Sequence, residues 1–548
     1  MGPTRRRLGR LVLLHPGHSG HDRRINGNHR RRYRNPRRAH YGYLPRSLHV
    51  GPLKHSQMKP TLLCCLLASI SLDSCSAQIF SEAMDEAMET HGVMGMSALV
   101  VCNGEIVEAY YGGMRNYENT WSVDEATRYR IASISKSITA MGCMKLVENG
   151  ILELDAAISE YLAFAVSNPN HPDASITLRM LLSHTSSLQD GDGYSPFLTA
   201  TYQSTSDLPS LGELLEPSGT WYTSNMYRTE APGTHFAYSN LNFGLVATVM
   251  EAATGQRFDV LMDELIFEPA GIDCSYDAGA LEGIENLAAL YRNQGGWVAQ
   301  ADQFNGVSPG TPELTEYTPG SNGSRFAPQG GLRASAVELY ELMAVLFSGG
   351  VASNGTAVLA PETVEAMLTE HWTYDGSNGN NYYNLFNSWG LGIQRVTNTA
   401  MGDIVFPELQ MWGHPGEAYG LISDWYFDPA TKDGVILLCN GAWDGYSFGN
   451  NSAFYTLEED VFAAGEEALG CTVEVAAGET TSALVTPNFG RPGEAFTCNG
   501  NGSILWQDAY GQTVAQCTAQ FSTIVPALPA GSYFFSIEGQ KPVRFTVL

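Results

Sequence analysis

Lysine is scarce in most of this 548-residue chain: after residue 77 only Lys136, Lys145, Lys432 and Lys541 remain. That stretch sets 16 basic against 55 acidic residues, a net charge of −39, which repels phosphate backbones and argues against nucleic-acid binding. Such an acid-rich, lysine-poor body suits a protein kept soluble in high salt, where like-charge repulsion is screened. Long apolar runs are missing too. The longest spans about 12 residues, against the roughly 20 of a membrane-spanning helix, so no transmembrane segment is expected. After residue 77 closely spaced cysteine pairs are also lacking. Cys102, Cys143, Cys274, Cys439, Cys471, Cys498 and Cys517 follow residue 77 without zinc-site spacing, and His91, His171, His235 and His371 are scattered. No metal or other cofactor is expected. An odd cysteine count leaves at least one free thiol, and Cys498 with Cys517 is the best candidate disulfide.

What is present is a large apolar content, 44% of residues with 10% aromatics, enough to bury a sizeable core in two to four domains. Residues 1–57 are the opposite of the body, with fourteen Lys and Arg against Asp22 alone. A nucleic-acid-binding arm is one reading; a start codon assigned too far upstream is the preferred one. From Met58, Lys59 precedes the apolar run TLLCCLLASISL and then Cys75-Ser76-Ala77, so residues 58–77 have the three regions of a secretory signal peptide. Lipidation at Cys75 is an alternative weakened by Asp73.

The body is read as one large domain, residues 78–468, followed by a small β-sandwich, 469–548. Residues 94–113 alternate as two strands about Asn103-Gly104. A helix opens near Ser133, with Ile134, Ile138, Met141 and Val147 at helical spacing and a stop at Asn149-Gly150. ITLRMLLSHTSSL, NFGLVATVMEAATG (to Gly255) and ASAVELYELMAVLFSGG predict further helices; LGIQRV, LISDWYFDP and GVILLCNG predict strands. Residues 190–232 and 276–326 show little periodicity and read as insertions around a site. The fold class is therefore α/β (α+β): a sheet flanked by helices, with a mostly helical insert. After residue 470, short strands at about ten-residue spacing suggest the sandwich.

Chemistry enters at Ser133-Ile134-Ser135-Lys136. A serine attacks a carbonyl only when its proton is removed, and a lysine at i+3 shares its helix face. The helix N-terminus favours developing negative charge, and burial would make Lys136 partly neutral. On its own the pair reads as an N-cap and a solvated charge. After residue 77, however, Ser-x-x-Lys occurs once.

Further motifs follow in order: LELDAAISEYL, ITLRMLLSHTSSL, APGTHFAYSNLNFGLVATVME with Tyr238-Ser239-Asn240, APQGGLRASAVELYELM, and WGHPGEAYG with His414-Pro415-Gly416. This ordered set resembles the serine β-lactamase and penicillin-binding-protein superfamily over roughly residues 80–465, in particular its class C β-lactamase, D-peptidase and esterase branch. The resemblance implies a β-lactamase/DD-peptidase-like antiparallel sheet and an acyl-enzyme mechanism. Ser133 would be the nucleophile, with Lys136 and Tyr238 sharing the proton transfers. Asn240 would bind the substrate amide or position Lys136, and the N–H groups of Ser133 and Glu417 would form the oxyanion hole beside His414 and Gly416. Two departures stand out. Lys-Thr-Gly is absent, and His414 in its place holds a β-lactam carboxylate weakly. Ser187 replaces the family's glycine after His-Thr-Ser, a change expected to matter little. His184 reads as structural.

The last segment resembles the type A sorting domain of the type IX secretion system, on ALVTPNFG, WQDAYGQTVAQC, LPAGSYFFSI and VRFTVL; a carbohydrate-binding or adhesive sandwich is the competing reading. Together these features predict an exported serine hydrolase at the cell surface or outside the cell, acting on esters, amides or D-amino-acid peptides. Its partners would be a small-molecule substrate and the type IX machinery. A catalytically weak penicillin-binding or cell-wall-sensing protein and a true β-lactamase are the alternatives.

Overall fold

Alternating and wholly apolar strands build a sheet whose inner strands are buried on both faces. In β1 (Gly95–Cys102), Leu99 and Val101 point to one core, while Met96, Ala98 and Val100 point to another, as the two-residue strand period requires. The computed structural model describes residues 79–471 except 205–207, 313, 315 and 444, and beyond them the backbone of six strands between Val485 and Val547. The leader 1–57, the signal segment 58–77 and the Cys498–Cys517 pairing lie outside the described residues; Cys143, Cys274 and Cys439 are free thiols.

Helix α1 (79–91) leads into β1 and β2 (Glu105–Asn116), which turn at Asn103 and Gly104, both at positive φ. β3 (Trp121–Ser122) continues that edge, and β4 (Arg128–Arg130) approaches the nucleophile. The helical insert follows: α2 (Ser135–Glu148), α3 (Leu178–Leu182), α4 (Tyr194–Gln203), α5 (Gly212–Leu215), α6 (Asn240–Thr254), α7 (Phe258–Met262) and α8 (Glu268–Ala270). β5 (Leu290–Asn293) and β6 (Trp297–Ala301) form a hairpin, and β7 (Arg333–Ser335) pairs with β4. Helices α9 (Ala336–Phe347) and α10 (Pro361–Met367) return the chain to β8 (Trp372–Thr373), β9 (Ser388–Trp389), β10 (Gln394–Arg395), β11 (Trp412–Ala418), β12 (Leu421–Phe427) and β13 (Gly434–Cys439), and α11 (Thr456–Cys471) closes the unit. The sheet runs β3-β2-β1-β13-β12-β11-β10-β9-β8 with antiparallel neighbours throughout.

One core cluster joins α2, α6 and α9 to the sheet through Leu99, Trp425, Ile436 and Leu438; the other joins α1 and α11 to it through Phe80, Met84, Val435, Leu437, Val461 and Phe462. Each such side chain, fully buried, contributes roughly 1.5–3 kcal/mol. Helix α2 is not the one-sided amphipath its spacing predicts. Ten of its first eleven residues are buried, and the hydroxyls among them are paired: Ser137 Oγ donates to Gly392 O at 2.8 Å, and Thr139 Oγ1 to Pro328 O at 2.8 Å. Residues 194–203, expected as part of a loop-like insertion, form α4, with Tyr194, Phe197, Leu198 and Thr201 buried at helical spacing.

Ser187 takes φ = +65°, a left-handed conformation that glycine adopts without strain. Its Oγ accepts a 3.0 Å bond from Asn168 Nδ2, which offsets part of the cost.

The chain divides into two compact units, Met1–Thr472 and Val473–Leu548. α11 carries the first unit past residue 468. In the second unit, β14 (Val485–Thr486), β15 (Phe489–Gly490), β16 (Ala495–Gln507), β17 (Thr513–Ile524), β18 (Gly531–Ile537) and β19 (Val543–Val547) join in one hydrogen-bonded network, in which only β15 and β19 run parallel. Among the described residues no helix is long and apolar enough to cross a membrane.

Candidate active site around Ser133

Ser133 sits in a single 3₁₀ turn, Ala132–Ile134, that redirects the chain from β4 into α2. The reversal forces Ala132 to φ = +48°, where its β-carbon is crowded. Three bonds hold the turn: Ile131 N donates to Leu332 O at 3.0 Å, Ser423 Oγ to Ile131 O at 3.2 Å, and Leu332 N to Ser135 Oγ at 3.1 Å.

Lys136 is fully buried, at 0% exposure. Its Nζ donates to Ser133 Oγ at 3.0 Å and to Gln329 O at 2.8 Å. Burial lowers its pKa to about 7, with Asp190 pulling weakly the other way. Near neutrality a good part of the amine is therefore uncharged; its lone pair can then accept the Ser133 proton while an N–H still donates to Gln329 O.

Tyr238 hydrogen-bonds Ser133. Its ring stacks on Phe386 at 5.2 Å, lies 4.4 Å from His184, and has Lys136 Nζ 4.8 Å from its centroid. Burial drives the phenol well above its usual pKa of 10, so it stays protonated. Of the two expected proton carriers, only Lys136 is thus poised as a base; Tyr238 offers an O–H.

Asn240 opens α6, and its environment holds the residue that sequence reasoning missed. Asp190 Oδ2 accepts from Asn240 N at 3.1 Å and from Asn240 Nδ2 at 2.8 Å, while Asp190 Oδ1 accepts from Leu241 N at 3.0 Å and Ser239 Oγ at 2.7 Å. A carboxylate on the orphan donors of a helix N-terminus is favourable there. Nothing in the spacing of SSLQDGDG marks Asp190; only the fold brings it to α6.

His414 is buried, its Nδ1 bonded to Pro415 O at 2.6 Å. A carbonyl only accepts, so Nδ1 carries the proton and Nε2 is left as the acceptor. Burial and nearby Lys136 push its pKa down to about 3. His414 therefore stays neutral at physiological pH and gives no charge to a substrate carboxylate, a stronger deficit than its ordinary value of 6.5 implies. His184, read as structural, accepts from Ser239 N at 3.2 Å through Nδ1 and packs on Tyr238, and so shapes the site.

Antiparallel pairing sets Gly416 opposite Ser423 and Glu417 opposite Ile422. A Cβ on Gly416 would lie 2.2 Å from Ser423 Oγ, 2.7 Å from Ile131 O and 3.3 Å from Ser133 N, so only glycine lets β11 approach the nucleophile turn. The strand then carries Glu417 into the same cavity as Ser133, and Tyr455 O–H donates to its carboxylate.

That cavity, of about 120 Å³, is walled by Tyr382, Leu385 and Phe386 and also lined by Ser133, Asp190, Tyr238, Asn240, His414, Gly416, Glu417 and Glu458. The structure thus gathers every expected site residue around one opening, with Lys136 behind Ser133. Among the described residues no group of three or more His, Cys, Asp or Glu could hold a metal ion.

A family model described as Beta-lactamase matches residues 80–449. Over 395 residues the chain is 26% identical to esterase EstB of Burkholderia gladioli, covering 69% of this chain and 94% of the esterase. It is 28% identical over 208 residues to the D-alanyl-D-alanine-carboxypeptidase/endopeptidase AmpH of Escherichia coli strain K12, covering 37% of this chain and only half of AmpH. Two solved structures share the fold. The octameric penicillin-binding protein homologue from Pyrococcus abyssi has TM-score 0.53 and 18% identity, covering 85% of this chain and 89% of that one. EstCE1, a hydrolase with promiscuous acyltransferase activity, has TM-score 0.52 and 17% identity, covering 72% and 99%.

Proposed function

We propose a reaction from the premise that this chain belongs to the beta-lactamase family, as a β-lactamase-related serine hydrolase: it cleaves carboxylic esters that carry no charge next to the scissile bond, through an acyl-enzyme on Ser133. Neutral Lys136 takes the Ser133 Oγ proton as Oγ bonds the carbonyl carbon. The oxyanion is met by the N–H groups of Ser133 and Glu417. Collapse breaks the bond to the leaving alcohol, which receives a proton from the Lys136 ammonium, directly or through the Tyr238 O–H. Water, deprotonated by the same amine, then releases the acid and regenerates Ser133.

The observation that carries this reading is the buried amine 3.0 Å from Ser133 Oγ, at a pKa of about 7. Ester is preferred over β-lactam or peptide carboxylate because the cavity presents Asp190, Glu417 and Glu458 beside a neutral His414 and is lined by no arginine. A carboxylate next to the scissile bond would find no cation except Lys136. The long match to esterase EstB supports the same choice.

Export through residues 58–77, and surface delivery by a sorting domain in 469–548, belong to the same proposal. They rest on the n-region, apolar run and small-residue site and on the terminal motifs. Deleting residues 471–548 then traps active enzyme in the periplasm; undiminished surface delivery overturns the sorting role.

The reaction is tested with p-nitrophenyl esters, D-alanyl amides and nitrocefin on wild type and Ser133→Ala. Ester turnover should dominate and fall by about 10³-fold or more in the variant, and mass spectrometry of the trapped adduct should place the acyl group on Ser133. Activity surviving Ser133→Ala in purified enzyme overturns the assignment.

A further inference from the structure

A second cavity, of about 470 Å³, has Arg130, three residues before the nucleophile, in its lining. Of the twelve arginines after residue 77, four line it: Arg130, Arg257, Arg325 and Arg333. In a chain this acidic, that clustering of positive charge is unusual.

Two of the four are neutralised, Arg257 by Asp259 and Arg333 by Asp302. The other two lack a carboxylate at ion-pair distance among the described residues. Arg130 Nε donates to Gly330 O at 3.0 Å, and its guanidinium lies 5.1 Å from the Tyr419 ring centroid. Arg325 Nη1 donates to the carbonyls of Thr201 at 3.0 Å and Tyr202 at 3.2 Å, and its burial lowers its pKa. Asp302 acts electrostatically on Arg130 and Asp277 on Arg325 from beyond ion-pair distance, so neither guanidinium has a directly bonded carboxylate, and their forked donors match one. Asp277 also lines the cavity, with Oδ1 accepting from Gly279 N at 2.8 Å and Oδ2 buried without a hydrogen-bond partner. With Asp302 counted as the partner of Arg333, four arginines stand against Asp259, Asp277 and Asp302. Walls of Tyr276, Phe304 and Phe326 supply apolar area beside the charge.

Gln329 links this cavity to the catalytic one: its carbonyl accepts from Lys136 Nζ at 2.8 Å, and its Nε2 donates to Tyr202 O–H at 3.4 Å. We propose that this arginine-lined cavity binds a carboxylate, held by Arg130 and Arg325, so that the enzyme accepts substrates bearing an anionic group remote from the scissile ester or responds to a free carboxylate. Choosing the substrate's own carboxylate rests on the ester-hydrolase reading above; the binding itself does not.

Succinate is the probe. Full-length Ser133→Ala should bind it by calorimetry, and Arg325→Gln and Arg130→Gln in that background should each weaken binding about tenfold or more, the loss of one charge-assisted contact. Far-ultraviolet circular dichroism confirms that each variant is folded, and Arg325→Lys should recover part of the affinity. In otherwise wild-type enzyme, the ratio of kcat/KM for a p-nitrophenyl hemisuccinate to that for p-nitrophenyl butyrate separates the two sources. A tenfold fall in that ratio in Arg325→Gln assigns the site to the substrate's carboxylate; weakened succinate binding with an unchanged ratio assigns it to a free one. Absence of saturable succinate binding, or binding indifferent to both arginines, overturns the proposal even if ester hydrolysis proceeds. Succinate binding without any hydrolysis upholds it while the reading of Ser133 fails.

Discussion

Asp190 and Asn240 meet through one oxygen: Asp190 Oδ2 accepts both the backbone N–H of Asn240 at 3.1 Å and its side-chain Nδ2 at 2.8 Å. The amide is therefore fixed at the mouth of the cavity, and the carboxylate that fixes it also acts electrostatically on Lys136. Asp190→Asn should loosen the first turn of α6 by about 1 kcal/mol. Because Asp190 raises the Lys136 pKa, its loss lowers that pKa, and the rising limb of kcat/KM against pH moves to lower pH. A variant whose pH profile overlays that of wild type would show that Asp190 only caps the helix.

Lys136 sets the pH dependence. With its pKa at about 7, kcat/KM should climb through that pH and level off about one unit above it. Lys136→Arg, never neutral, should lose about 10³-fold or more in kcat with KM changed much less. The sign for stability runs the same way. Between about 7 and the unfolded value of about 10.4, the unfolded chain holds a proton that the folded one does not, so folding stability rises with pH across that window. Below about 7 the cost of burying the ammonium is fully present. Lys136→Met should abolish this slope in thermal-melt midpoints taken from pH 6 to 10.

His414 is the competing source of a limb near neutrality, and its pKa of about 3 removes it from contention. His414→Asn should keep the limb near pH 7, whatever its effect on the maximum rate. Disappearance of the limb in this variant, measured on a neutral ester, would transfer the base role from Lys136 to His414.

Gly416→Ala places a methyl group 2.7 Å from the Ile131 carbonyl oxygen and 3.3 Å from Ser133 N. β11 must retreat from the turn, and the oxyanion donor it carries retreats with it. A fall of about 10²-fold in kcat is expected, read against a change in melting midpoint of a few degrees. Full activity in the alanine variant would remove Glu417 N–H from the oxyanion hole.

The acidic surface has a salt signature. With a net charge of −39 after residue 77, raising NaCl from about 0.05 to 1 M shortens the Debye length from above 10 Å to about 3 Å, and the melting midpoint should rise. A fold most stable without added salt would contradict adaptation to a saline habitat.

Elements with local punctuation were legible before the structure: the Asn103-Gly104 turn between β1 and β2, the Asn149 stop of α2, and Gly255 ending α6 at φ = +74°. The catalytic motifs were legible because each is a short spacing with one chemical purpose and they recur in order. Helix α4 was hidden, since Tyr194, Phe197, Leu198 and Thr201 keep helical spacing inside a segment crowded with Gly, Ser and Thr. Asp190 was hidden for a different reason. Its partners lie about fifty residues downstream, and two of the four are backbone donors, which carry no residue-type signature. The pKa values of Lys136 and His414 depend on three-dimensional burial and could be anticipated in direction only.

The pairing of β1 with β13 inside the sheet joins Met96 to Cys439 and Val101 to Gly434, so an interior strand is among the last pieces of the hydrolase unit to be synthesised. A ribosome halted before Gly434 leaves β1 with a bare inner edge and both cores open along it. Such truncated products are templates for misassembly rather than partial enzymes. The distance in sequence between the two strands also makes closure slow, so the finished chain spends its early lifetime as the species most in need of a chaperone.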